Sequence, residues 1–300
     1  EIGSGLVGSE MCIRDRSRSY IACLSEANKM LFNNIRTIFA RTWIYCAVLA
    51  VVSSIYLSLY LHAMLFGYNT ALRIGLVAFS LFMICAGMAY FARIMFLVNG
   101  RPMKWNIVRS SKLTLCYICF NAIIGLIFTG IAYATIYHEQ PAGTIQLVNI
   151  FATFVIASLI IMLLMLPYAY VVMQYMIEPE CKLRNIIFKS YVTGLRHWGF
   201  IFTALLLTTL CTLVCSLLVS IPLIIIMTAN IMSVYGVNTL GDPIGLPSYF
   251  VIIQSVVFVL TFFIWSYINI FTIFVSYFLY GSIKTREKEK MDAKQEMKTI

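Results

Sequence analysis

The sequence predicts an all-α polytopic membrane bundle of six transmembrane helices with cytoplasmic amphipathic interfacial helices. Three observations predict it. The chain is 61% hydrophobic and only 11% charged, where a soluble domain is roughly a quarter charged. Six apolar runs each reach the ~20 residues that a helix needs to cross a bilayer. Of the twenty lysines and arginines beyond residue 16, nineteen fall on one side of those runs.

Residues 1–16, from Glu1 to Arg16, resemble a translated sequencing-adapter read-through and are set apart from the fold. The membrane domain then occupies 17–281, and 282–300 is a charged tail. The spans are predicted near 43–65, 74–97, 113–136, 148–176, 198–228 and 249–280. The charge-free stretch 197–241 is read as one span and a loop. Its Gly- and Pro-bearing continuation, Tyr235 to Pro247, reads as a connection.

The cations orient these spans. Arg18, Lys29, Arg36 and Arg41 precede span 1. Arg93, Arg101, Lys104, Arg109 and Lys112 surround the second connection. Lys182, Arg184, Lys189 and Arg196 occupy the fourth, and six lysines and arginines lie in the tail. Only Arg73 falls opposite. The positive-inside rule places both termini in the cytoplasm, and the expected location is a bacterial inner membrane.

The segments before the odd-numbered spans resemble one another. Ile35-Arg36-Thr37, Val108-Arg109-Ser110 and Phe188-Lys189-Ser190 share an apolar–basic–hydroxyl pattern, with Trp43, Trp105 and Trp198 nearby. Three copies of a unit, an amphipathic helix plus two spans, would produce this. So would the interfacial belt, which gathers Trp and cations at any inner turn.

Two of the segments are plainly amphipathic. Ile21, Leu24, Leu31, Ile35 and Ile38 oppose Glu26, Lys29, Asn33 and Arg36. Leu183, Ile186, Ile187, Tyr191 and Leu195 oppose Lys182, Arg184, Lys189 and Arg196. Such helices lie in the interface with cations toward anionic headgroups. Arg36, Arg109, Lys189 and Arg196 are therefore the candidate collar for lipid or for a membrane or cytoplasmic protein partner.

The stretch Glu178 to Trp198, and within it Glu178-Pro179, Lys189-Ser190 and Gly194-Leu195-Arg196, resembles bacterial six-span proteins related to the membrane domain of glycerophosphodiester phosphodiesterases. In those enzymes the membrane domain is attached to a soluble catalytic barrel. A barrel needs ~250 residues, and the six spans leave no room for one. The resemblance thus implies a stand-alone membrane unit.

Catalytic constellations are sparse. His62, His138 and His197 sit near different span ends, and no carboxylate falls inside a span. No metal, cofactor or catalytic set is expected, and no nucleic-acid partner, because topology already explains the basic charge. Cys116 and Cys119 form a CxxC, and Cys211 and Cys215 share a helix face, but no His or Lys adjoins either pair to activate a thiol.

Polar stripes run along the spans: Thr208, Thr212, Ser216 and Ser220; Asn121, Gly125 and Thr129; Asn149, Thr153 and Ala157. Span 6 adds Gln254, Ser266, Asn269, Thr272 and Ser276, and Pro167 and Pro222 interrupt spans 4 and 5. Small polar faces let helices pack closely. In a transporter, Thr208, Thr212, Ser216, Asn269 and Thr272 would instead line a path for a neutral or amphiphilic substrate. The expected role is a non-enzymatic scaffold, accessory or envelope-maintenance protein, with a permease as the alternative.

Overall fold

The computed structural model describes residues 18–137, 144–241 and 245–299, and every element among them is helical. In chain order these are α1 (Tyr20–Asn33), α2 (Ile35–Phe66), α3 (Thr70–Asn99), α4 (Met103–Tyr137), α5 (Thr144–Met165), α6 (Tyr168–Ile177), α7 (Leu183–Arg196), α8 (Trp198–Tyr235) and α9 (Phe250–Thr299). Residues 1–16 and His138, Glu139 and Asp242 lie outside the described residues. Six stretches among the described residues are long and apolar enough to cross a membrane: Ile35–Phe66, Thr70–Asn99, Met103–Gly130, Phe154–Ile177, Trp198–Leu240 and Phe250–Met297. The chain is an all-α, multi-pass membrane protein.

Its contacts form two compact units. The first runs to Ile107 and resumes at Thr203, and the second is Val108–Phe202. In the first, α2 packs against α3 and α9. Asn69 Oδ1 accepts the Leu72 N–H at 2.7 Å and so caps the start of α3. Gly100 ends that helix at φ +63°, where a side chain would be strained. Leu61, Leu223, Ile226 and Phe258 form an apolar core. Polar ties cross it: the Tyr90 hydroxyl donates to the Ser266 carbonyl, and Asn230 Nδ2 donates to Gln254 Oε1 at 3.0 Å. Ile74, Val77, Leu81 and Phe82 remain exposed on α3, a surface suited to lipid tails.

α1 lies along α9. Its buried face is narrow and made of Cys23, Ala27 and Met30, of which Cys23 and Ala27 are small enough to let two helices approach closely. Its start is pinned. Ser282 Oγ accepts the Arg18 N–H at 2.9 Å, and the Arg286 guanidinium donates to the Arg18 carbonyl at 2.6 Å. The beginning of the expected tail is therefore packed protein, and the helix continues to Thr299.

In the second unit Pro167 breaks span 4 into α5 and α6. Proline lacks the N–H that would bond the carbonyl four residues back. The Trp198 indole N–H reaches the Leu163 carbonyl at 3.2 Å, and the Tyr191 hydroxyl donates to the Leu164 carbonyl at 2.8 Å. Gly194 makes room for this. A Cβ there would lie 2.9 Å from Pro167 Cβ and 3.1 Å from its carbonyl oxygen.

Two helix breaks fall in a different register from the one that the three-residue pattern suggests. α1 and α7 each have 14 residues and end in a single-residue break, Asn34 at φ −114°, ψ 14° and His197 at φ −108°, ψ 21°. A new helix starts at the next residue each time. This aligns Asn34 with His197, so Arg36 lies beyond its break while Lys189 lies before its own. The segment before span 3 has no such break, because α4 runs on from Met103 into that span. The expected connection after Tyr235 begins with a π-helical turn, Gly236–Leu240.

Candidate functional site

Arg109 is only 9% exposed. Its guanidinium donates to the carbonyls of Tyr175, Glu178 (2.6 Å) and Pro179, and lies 4.5 Å from the centre of the Tyr175 ring. These carbonyls close α6 and the turn after it, where a helix exposes unpaired acceptors and the negative end of its dipole. A planar five-donor fork suits that cluster. Of the four collar candidates, Arg109 thus binds its own unit internally. Gln174 Nε2 and the Cys181 thiol both donate to Glu178 Oε2, each at 3.0 Å, which holds the same turn from the other side.

Lys189 and Arg196 are exposed on α7, and Arg36 is exposed on α2. α7 carries three distinct stripes. Ile186, Ser190 and Gly194 are buried at intervals of four. Lys182, at the helix start, Lys189 and Arg196 recur every seven residues and so share one line along the helix. Next to that line Phe188, Val192 and Leu195 are exposed by 77%, 49% and 41%. A cationic line beside a bare apolar stripe is the surface of an interfacial helix. Leu195, read from periodicity on the apolar face with Ile186, lies on this bare stripe, whereas Ile186 is buried.

In the first unit a cavity of about 680 Å³ opens between α1, α8 and α9. Leu24, Leu31 and Phe32 of α1 face Cys215 of α8 and Ile268 and Phe271 of α9 across it. The apolar positions that periodicity marks on α1 line this cavity, while the packing face is the Cys23–Ala27–Met30 line. Ile35 and Ile38, counted on the same stripe, fall beyond the Asn34 break on α2. The cavity was legible only in part. Ser25 and Asn28 interrupt the apolar face of α1, which is the one sequence sign that this face does not simply pack.

The stripe hydroxyls and amides mostly bond their own helices. Thr208 donates to the Ala204 carbonyl and Thr212 to that of Thr208, at 2.7 and 2.9 Å. Asn269 donates to the Trp265 carbonyl and Ser276 to that of Thr272, at 3.0 and 2.9 Å. The Ser216 carbonyl receives the Ser220 hydroxyl and the Trp265 indole N–H. Thr212 alone of the five path candidates borders the cavity. Asn121 and Thr129 also bond within their helix. The side chains of Asn149 and Thr153 lie outside the described residues.

The described cysteines are free thiols, and Cys119, Cys211 and Cys215 are exposed. Cys23 is buried against Ser282. Burial pushes its thiol up to about 11, more than Arg18 and Arg286 pull it down, so it stays protonated at neutral pH. Among the described residues no three His, Cys, Asp or Glu side chains are grouped to hold a metal. No family model, curated protein or solved structure matches this chain.

Proposed function

We propose that this chain is a non-enzymatic integral protein of a bacterial cytoplasmic membrane, with both termini inside the cell, acting as an envelope scaffold or accessory factor. Its working surface is α7, which would engage anionic headgroups or a protein partner. The observation that carries this reading is the line Lys182–Lys189–Arg196 beside the exposed Phe188–Val192–Leu195 stripe. Arg36 supplies a further exposed cation, and Arg109 fixes the turn from which α7 departs.

A permease for a neutral or amphiphilic substrate is the second reading, favoured by the cavity that reaches Thr212. The own-helix bonds of Thr208, Thr212 and Asn269 weigh against a polar path, since each donor already has an acceptor. The test is complementation of a deletion strain under envelope stress. The Lys182→Glu, Lys189→Glu, Arg196→Glu triple variant is expected to insert normally and to fail, losing about 1 kcal/mol of headgroup attraction per cation. Thr212→Leu should complement. The opposite pattern would move the protein to the permease class.

A further inference from the structure

We propose that the cavity between α1, α8 and α9 is a binding site for one acyl chain of an anionic phospholipid, its headgroup held at α1. The site stands on observations separate from those on α7.

The lining is apolar apart from a few groups. Thr212 already donates to its own helix, and Tyr267 Oη lies 3.4 Å from the Thr42 hydroxyl. Away from Ser25 and Asn28, water in such a space would find too few partners. Left empty, the walls would forgo their dispersion contacts. The cavity lies between α1 and two membrane-spanning helices, α8 and α9, so hydrocarbon is at hand to fill it.

Size selects among hydrocarbon occupants. A helix about 10 Å across would exhaust 680 Å³ in under two turns. That is too little for a partner span, whereas a thin acyl chain can run the length of the groove.

Chemistry selects the headgroup. An acyl chain gains little hydrophobic free energy by leaving other chains for an apolar groove. Preference must then come from the polar end. Ser25 and Asn28 lie on the groove-facing side of α1, both are exposed, and among the described residues neither side chain has a hydrogen-bond partner. Lys29, one residue on, is 62% exposed and shared with Glu26 only through a surface pair. Arg36, four residues past Phe32, is also exposed. Free donors among surface cations suit a phosphate diester bearing net negative charge.

The test uses the purified full-length protein, stripped of lipid and titrated with dioleoyl phosphatidylglycerol or dioleoyl phosphatidylcholine under native mass spectrometry. The expected result is a single tightly held phosphatidylglycerol. Phosphatidylcholine should bind about fivefold more weakly, the worth of roughly one cation at an anionic headgroup. Cys215→Trp and Ile268→Trp each fill the groove and should abolish the adduct. Should either variant fail to fold, alkylation of Cys215 in an otherwise cysteine-free chain replaces it, with phosphatidylglycerol expected to slow the reaction. Equal retention of both lipids would overturn the proposal. So would an adduct that survives groove filling, or one lost only on charge reversal of α7.

Discussion

Arg109 shows how much a single side chain's role depends on what surrounds it. From sequence it is one cation in a basic inner segment, equivalent to Arg36 and Lys189. Its partners are main-chain carbonyls of a segment almost seventy residues away, and carbonyls leave no trace in composition. The same blindness covers Thr208 and Asn269, whose bonds run to their own helices. The fork geometry makes a prediction. Arg109→Lys keeps the charge but cannot reach three acceptors at once, and should cost about 1–2 kcal/mol. Arg109→Met leaves buried carbonyls unpaired and should cost about 2–4 kcal/mol. Trypsin cleavage after Lys182, next to the clamped turn, should accelerate in that order. Equal cleavage of all three proteins would show that Arg109 does not hold the turn.

At the scale of the element, Pro167, Gly194 and Trp198 form one device spread over three helices. Beside the break at Pro167, the Leu163 and Leu164 carbonyls receive the Trp198 indole and the Tyr191 hydroxyl, and Gly194 lets α7 come close enough for both bonds. Proline marks the break in the sequence, but the compensating donors are found only once α7 is seen to return across it. The matched breaks at Asn34 and His197 were hidden for a related reason. They rest on backbone angles, not on a residue type, so a pattern built on basic and hydroxyl residues settled ten residues out of register. Gly194→Ala should destabilise the second unit by about 1–2 kcal/mol, because the overpacking cost exceeds the gain in helix propensity. Gly125→Ala has no atom within 4 Å of the new methyl and should stabilise by about 0.5–1 kcal/mol. Denaturant unfolding of both variants checks this, and a stabilised Gly194→Ala would remove the close approach from the argument.

For the whole molecule, length and hydropathy made the six crossings legible, because a bilayer imposes one length on every span. The cavity was legible only through Ser25 and Asn28, because the break between α1 and α2 at Asn34 rests on backbone angles that no periodicity records. Orientation rests on charge alone, with nineteen cations facing one. If each of the six spans crosses once, the short turn around Tyr68 and the turn bearing Cys181 are expected on opposite sides of the membrane. Tyr68 is 52% exposed, and Cys181 is a half-buried cysteine outside any disulfide, just before α7. In an otherwise cysteine-free chain, Cys181 should react with a membrane-impermeant maleimide in inside-out vesicles and resist it in right-side-out cells. A Tyr68→Cys chain should show the reverse. Labelling of Cys181 from outside would invert the topology, turn α7 away from the anionic cytoplasmic leaflet, and so withdraw the scaffold proposal while leaving the fold intact.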